Sequence, residues 1–127
     1  MAAPRLPAFD FARLPGVTAE HLQVQEAIRA FVEGEIQPNA DAWDEAGTFP
    51  RELYRKAGAV GLLGLGWPAE YGGTPVDQVS RLLSSIELSR GGIGGVTASL
   101  GSHTIMLWPV IAGARDEVRR EVVPAIL

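Results

Sequence analysis

The chain has 127 residues, 46% of them apolar and 20% charged, with 11 basic and 15 acidic side chains for a formal charge of −4. That length fits one domain, the apolar content excludes a disordered chain, and the acidic balance makes a poor nucleic-acid binder. With no cysteine, a disulfide scaffold, a thiolate zinc site and a cysteine nucleophile are excluded.

The first 16 residues carry three prolines and no long apolar core, so no secretory leader is read there. They are expected to form an extended arm, pinned to the surface by Phe9, Phe11 and Leu14. The lack of cysteine fits a reducing compartment, and a cytoplasmic location is expected, with a transit peptide as the alternative reading of the first residues.

Thr18 is a good N-cap for a first helix, with Glu20 in the positive first turn. Val24, Ala27, Ile28, Phe31 and Val32 share an arc of roughly 140°. Pro38 stops or bends that helix. The segment from Ala40 to Thr48 reads as a loop or a continued helix anchored by Trp43. Pro50 fits the first position of a second helix with Leu53, Ala57 and Val60 as its stripe. Gly64 and Gly66 end it, and Trp67 to Pro75 is a glycine-rich loop. Asp77 caps a third helix with Val79, Leu82, Leu83 and Ile86 inside, ending at Gly91-Gly92.

From Gly91 to Ala114 no residue is charged, counting His103 as neutral. The part from Val96 to Ala112 reads as a fourth, buried helix, apolar all round, with Pro109 near its last turn. Its glycines, His103 and Pro109 speak against a membrane span. A fifth helix begins near Arg115. The sum is an all-α, bundle-like domain of about five helices. The chain ends in the apolar Pro124-Ala-Ile-Leu127, as expected of a chain that was cut or that another chain covers.

The fourth helix has two sides. Val96, Leu100, His103 and Leu107 make one; Ala98, Gly101, Ser102 and Ile105 make the other, over roughly 100°. The second side is mostly small, which suits either a close neighbour helix or a ligand. Glycine within a helix costs about 1 kcal/mol against alanine, so Gly101 needs a steric reason, and both readings supply one. His103 reads as a histidine satisfied in or at the edge of the core. Glu70 and Glu87 are possible bases, better read as a loop carboxylate and a helix-packing carboxylate. Arg51, Arg55, Arg119 and Arg120 read as solvated. GLLGLGW (61–67) and GGIGG (91–95) lack the spacing and the strand–helix context of nucleotide loops. The residues alone supply a pocket wall and no catalytic centre. His21 and His103 lie too far apart for a helical metal pair.

Three segments resemble the N-terminal helical domain of the acyl-CoA dehydrogenase family. FVEGEIQPNADAWDEAGTFPRELYRKAGAVGLLGLGWPAEYGG (31–73) is the specific one; IELSRGGIGG (86–95) and the run from SLGSHT to VVPAIL (99–127) add to it. The resemblance covers residues 17 to 127, leaving 1–16 as the arm. Pro75 stands where the family often has glycine, and Ala114 replaces a frequent helix-ending glycine.

The resemblance implies a flavin enzyme that oxidises acyl-CoA thioesters between Cα and Cβ. A glutamate removes the α-proton, FAD takes the β-hydride, and an electron-transferring flavoprotein takes the electrons. Most flavin contacts and the base belong to domains absent from this chain, so the chain alone is expected to be inactive and without FAD. The complete enzyme is expected to be a homo-oligomer. The fourth helix would form one wall of the acyl pocket through Ala98, Gly101, Ser102 and Ile105. A non-enzymatic helical module that pairs with another chain, and oxidase or flavin monooxygenase chemistry within the same superfamily, are the alternatives.

Overall fold

The computed structural model describes residues 10–127, so Phe9 and the first part of the expected arm lie outside the described residues. Seven α-helices follow one another: α1 (Ala19–Phe31), α2 (Ala40–Ala46), α3 (Glu52–Ala59), α4 (Gln78–Ser89), α5 (Gly94–Ser102), α6 (Leu107–Gly113) and α7 (Asp116–Ile126). They form five helical blocks, because α1–α2 and α5–α6 are each one helical path with an irregular joint. Among the described residues, extended pairing is limited to one isolated bridge between Leu65 and Thr74.

Both joints trace to proline. A ring at position i collides with the carbonyl at i−4 and removes a hydrogen-bond donor. Before Pro38 the path widens into a π-turn over Val32–Ile36 and then tightens over Gln37–Asn39. It resumes as α2, so the segment after Ala40 is helical and Trp43 packs against the core as expected. Pro109 acts differently from the expectation. It is the third residue of α6, a first-turn position that tolerates it, and the expected continuous helix breaks over His103–Met106.

The core runs through Ile28, Phe31, Val32 and Ile36, with Leu53 and Ala57 of α3, Leu63, Ile93, and Val96 and Leu100 of α5. A second cluster joins Trp67 and Tyr71 of the glycine-rich loop to Leu107 and Val123. That loop needs its glycines. Gly72 has φ +89°, and a Cβ on Gly73 would lie 2.5 Å from the Trp67 carbonyl oxygen.

Two apolar stripes are rotated from their expected positions. On α1 the buried face includes His21 and Gln25, while Ala27 is exposed. On α4 the buried face is Ser80, Leu83, Ser84 and Glu87, while Leu82 is exposed. Serines at this contact let α1 and α4 approach closely, and the Ser84 hydroxyl is satisfied by donating to the Ser80 carbonyl at 2.8 Å. Val60 lies beyond α3 and is exposed. In the arm, Phe11 is buried within a short 3-10 turn and Leu14 is exposed.

Candidate functional site

Helix α5 is held by one side only. Val96 and Leu100 are buried, and Ile93 just before the helix adds a third anchor. On the other side Ala98, Gly101, Ser102 and Ile105 are all exposed, Ile105 at 72%. The expected burial all round is therefore corrected: among the described residues no helix covers the small side. A Cβ added at Gly101 would meet nothing within 4 Å, so close helix packing is not the reason for this glycine here. Met106 and Trp108 extend the open surface with apolar side chains, and Trp108 leans on Trp67 with ring centroids 4.8 Å apart.

Grooves flank α5. One, of about 170 Å³, lies between the turn around Leu62–Trp67, helix α4 and the end of α5, with Gly101 and Thr104 in its lining. The other, of about 400 Å³, is framed by Trp43, Phe49 and Tyr54, with Gly95 and Ser99 of α5 on its edge. Of the four expected wall residues, Gly101 alone lines the first groove, and none lines the second.

The other candidates have structural occupations. His103 sits at the core edge, its Nε2 donating to the Ile126 carbonyl at 3.0 Å and its ring stacked on Tyr54 at 4.9 Å. Glu70 is an exposed loop carboxylate, and Arg51, Arg55 and Arg120 are exposed. Arg119 is half-buried and donates to the Ile111 carbonyl.

Glu87 is fully buried. Its Oε1 accepts from Gln25 at 2.6 Å and from Arg29 at 3.0 Å, and its Oε2 from Arg90. Burial alone would push this carboxyl up, but donation by Arg29, Gln25 and Arg90 outweighs burial and holds it below the ordinary glutamate value. A carboxylate enclosed by three donors cannot reach a substrate proton, so Glu87 ties α4 to α1 and is not a base.

A second polar tie binds the starts of the same helices. The Thr18 N–H donates to His21 Nδ1 at 3.0 Å, so Nε2 carries the ring proton and donates to Asp77 Oδ2 at 2.8 Å. Asp77 also caps α4 through the Ser80 N–H at 2.9 Å. The Ser80 N–H first, then His21, hold the Asp77 carboxyl below its ordinary value. Glu87 is the helix-packing carboxylate expected of it, but the partners in both ties were not legible in the sequence, because they lie about 60 positions away. Among the described residues no cluster of three metal-ligating side chains occurs, and no helix is long and apolar enough to cross a membrane.

The site is thus a surface that shapes space, without a nucleophile–base pair of its own. The family model described as "Acyl-CoA dehydrogenase, N-terminal domain" matches residues 18–127. The chain belongs to the acyl-CoA dehydrogenase family, as its N-terminal domain. An acyl-CoA dehydrogenase of Bacillus subtilis is 32% identical over 113 residues, 85% of this chain and 28% of the relative. Probable acyl-CoA dehydrogenase FadE25 of Mycobacterium tuberculosis is 32% identical over 122 residues, 94% of this chain and 30% of the relative. Among solved structures, glutaryl-CoA dehydrogenase from Mycobacterium smegmatis superposes with a TM-score of 0.81 at 26% identity, covering 87% of this chain and 29% of that one. The chain therefore spans somewhat under a third of the relatives it matches.

Proposed function

We propose that this domain works within a longer flavin-dependent acyl-CoA dehydrogenase and supplies one wall of its acyl pocket. The observation that supports this reading is the open, mostly small-residue side of α5, where a Cβ on Gly101 would meet nothing within 4 Å among the described residues. Ala98, Gly101, Ser102 and Ile105 would meet the acyl chain. A wall of small side chains leaves width for a long, branched or bulky acyl group.

The described residues do not fit a flavin cradle. Their glycine-rich turns open no helix after a strand, so they lack a phosphate-binding loop of the strand–turn–helix kind. The reading therefore puts FAD, and the glutamate base, on segments outside this chain. FAD would supply the hydride acceptor, and an electron-transferring flavoprotein would take the electrons onward. The complete enzyme would be a cytoplasmic homo-oligomer, with residues 1–16 as an arm outside the catalytic body. The family membership and the named relatives support the acyl-CoA dehydrogenase part of this reading.

Replacing Gly101 with Leu in the full-length enzyme tests it. The added side chain enters the proposed acyl path, so kcat/KM should fall more for long acyl-CoA substrates than for short ones. Equal losses across chain lengths would remove Gly101 from the pocket wall.

A further inference from the structure

The turn from α2 into α3 builds a row of rings. Gly47 ends α2 at φ +64°, a conformation that lets the chain reverse. The Thr48 N–H then donates to the Trp43 carbonyl at 3.2 Å, which sets Phe49 beside α2. Ring centroids follow one another at 6.0 Å from Trp43 to Phe49, 5.6 Å from Phe49 to Tyr54 and 4.9 Å from Tyr54 to His103. All four rings are half-buried, so part of each stays open. The groove that the first three frame holds about 400 Å³, within the range of roughly 300–1,000 Å³ for small-molecule sites. It meets a second groove of about 600 Å³, because Arg51 and Tyr54 line both. Charge is divided along the pair. Asp44 borders the first groove, Arg51 stands at the shared lip, and Glu52, Arg55 and His103 belong to the second. Arg55 donates to Glu52 at 3.0 Å, and His103 Nε2 is committed to the Ile126 carbonyl. Neither the Asp44 carboxylate nor the Arg51 guanidinium makes a hydrogen bond or ion pair with a described residue, and both are exposed.

We propose that these joined grooves bind a free nucleoside phosphate whose base carries an exocyclic amine, as adenine does. The base stacks on the open faces of Trp43, Phe49 and Tyr54, a contact that any planar ring satisfies. Its amine donates to Asp44. The phosphate reaches the lip, where Arg51 offers two charge-assisted hydrogen bonds in the fork geometry that guanidinium favours. A ligand that covers the rings also strips water from Asp44 and Arg51, so it is selected to bring a donor to one and an anion to the other. An apolar ligand answers neither group, and a small inorganic anion leaves the rings uncovered. Side chains make this site, so it needs no glycine-rich loop. It stands apart from the pocket-wall reading, because Ala98, Gly101, Ser102 and Ile105 line neither groove.

The test is equilibrium dialysis of labelled ADP against the full-length enzyme saturated with its flavin. ADP should bind saturably. Adenosine, which lacks the phosphates, should bind at least roughly tenfold more weakly, as expected for charged hydrogen bonds. Arg51→Gln should bring ADP down to the affinity of adenosine. IDP, whose base has a carbonyl in place of the amine, should bind more weakly than ADP, and Asp44→Asn should remove that preference. Saturating 2-enoyl-CoA should leave ADP binding unchanged. Displacement by that ligand would put ADP in the thioester's own nucleotide site and overturn the proposal. So would the absence of saturable ADP binding, or equal affinities for ADP and adenosine, and both are read on the wild type even if a variant fails to fold. An ADP affinity that survives Arg51→Gln, or a preference over IDP that survives Asp44→Asn, overturns it as well.

Discussion

The α1–α4 contact and the outer side of α5 use opposite chemistry. Between α1 and α4 the buried side chains are largely polar, and each finds partners inside the chain: Glu87 with Gln25, Arg29 and Arg90, and His21 with Thr18 and Asp77. On α5 and the turn after it, the side chains are small or apolar and face outward. Buried polar groups are costly unless paired, so the first region closes on itself and specifies how two helices meet. Exposed apolar surface is favourable only when something covers it, so the second region is open to a ligand or to more protein. The difference separates residues that hold the fold from residues left free to serve the pocket.

The largest expected effect attacks the closed region. Glu87→Ala leaves two arginines and a glutamine around an uncompensated hole and should cost about 3–5 kcal/mol in a urea melt. Glu87→Gln keeps the shape and should cost less. A loss of under about 1 kcal/mol for Glu87→Ala would show that the network merely decorates apolar packing.

Within α5 and its exit the two sides should separate cleanly. Leu100→Ala removes a core side chain and should cost about 2–5 kcal/mol. Ile105→Ser changes a side chain that is exposed among the described residues and should stay within about 0.5 kcal/mol in the isolated domain. In the complete enzyme the same Ile105 change should alter acyl-chain preference. Equal stability costs at the two positions would overturn the division of α5 into a covered and an open side.

Acid should loosen the closed region first. Glu87 and Asp77 both ionise more readily folded than unfolded. Their stabilisation is therefore fully present above the ordinary carboxylate range and lost as pH falls through their lowered folded values. Thermal melts between neutral and acid pH should show this decline. Asp77→Asn should flatten part of it; an unchanged acid limb in that variant would remove the His21–Asp77 tie from the account.

Much of this was legible in the residues. Thr18 and Asp77 cap their helices as their side chains dictate. Gly72 and Gly73 occupy positions where a Cβ is excluded by conformation or by the Trp67 carbonyl. The motif segments identify the family, and the small side of α5 follows from its spacing. The α4 stripe was illegible for a physical reason. Periodicity weighs hydrophobicity, whereas Ser80, Ser84 and Glu87 are buried because their partners lie on another helix.

The sequence by itself determined the helical class, the caps, the irregular joint at Pro38 and the family, because these depend on local sterics and on short motifs. The tertiary structure alone decided which sides are covered. It supplied the partners that make Glu87 a buried tie between α1 and α4, and it opened the outer side of α5. Each of these outcomes depends on residues far apart in the chain, which no local pattern encodes.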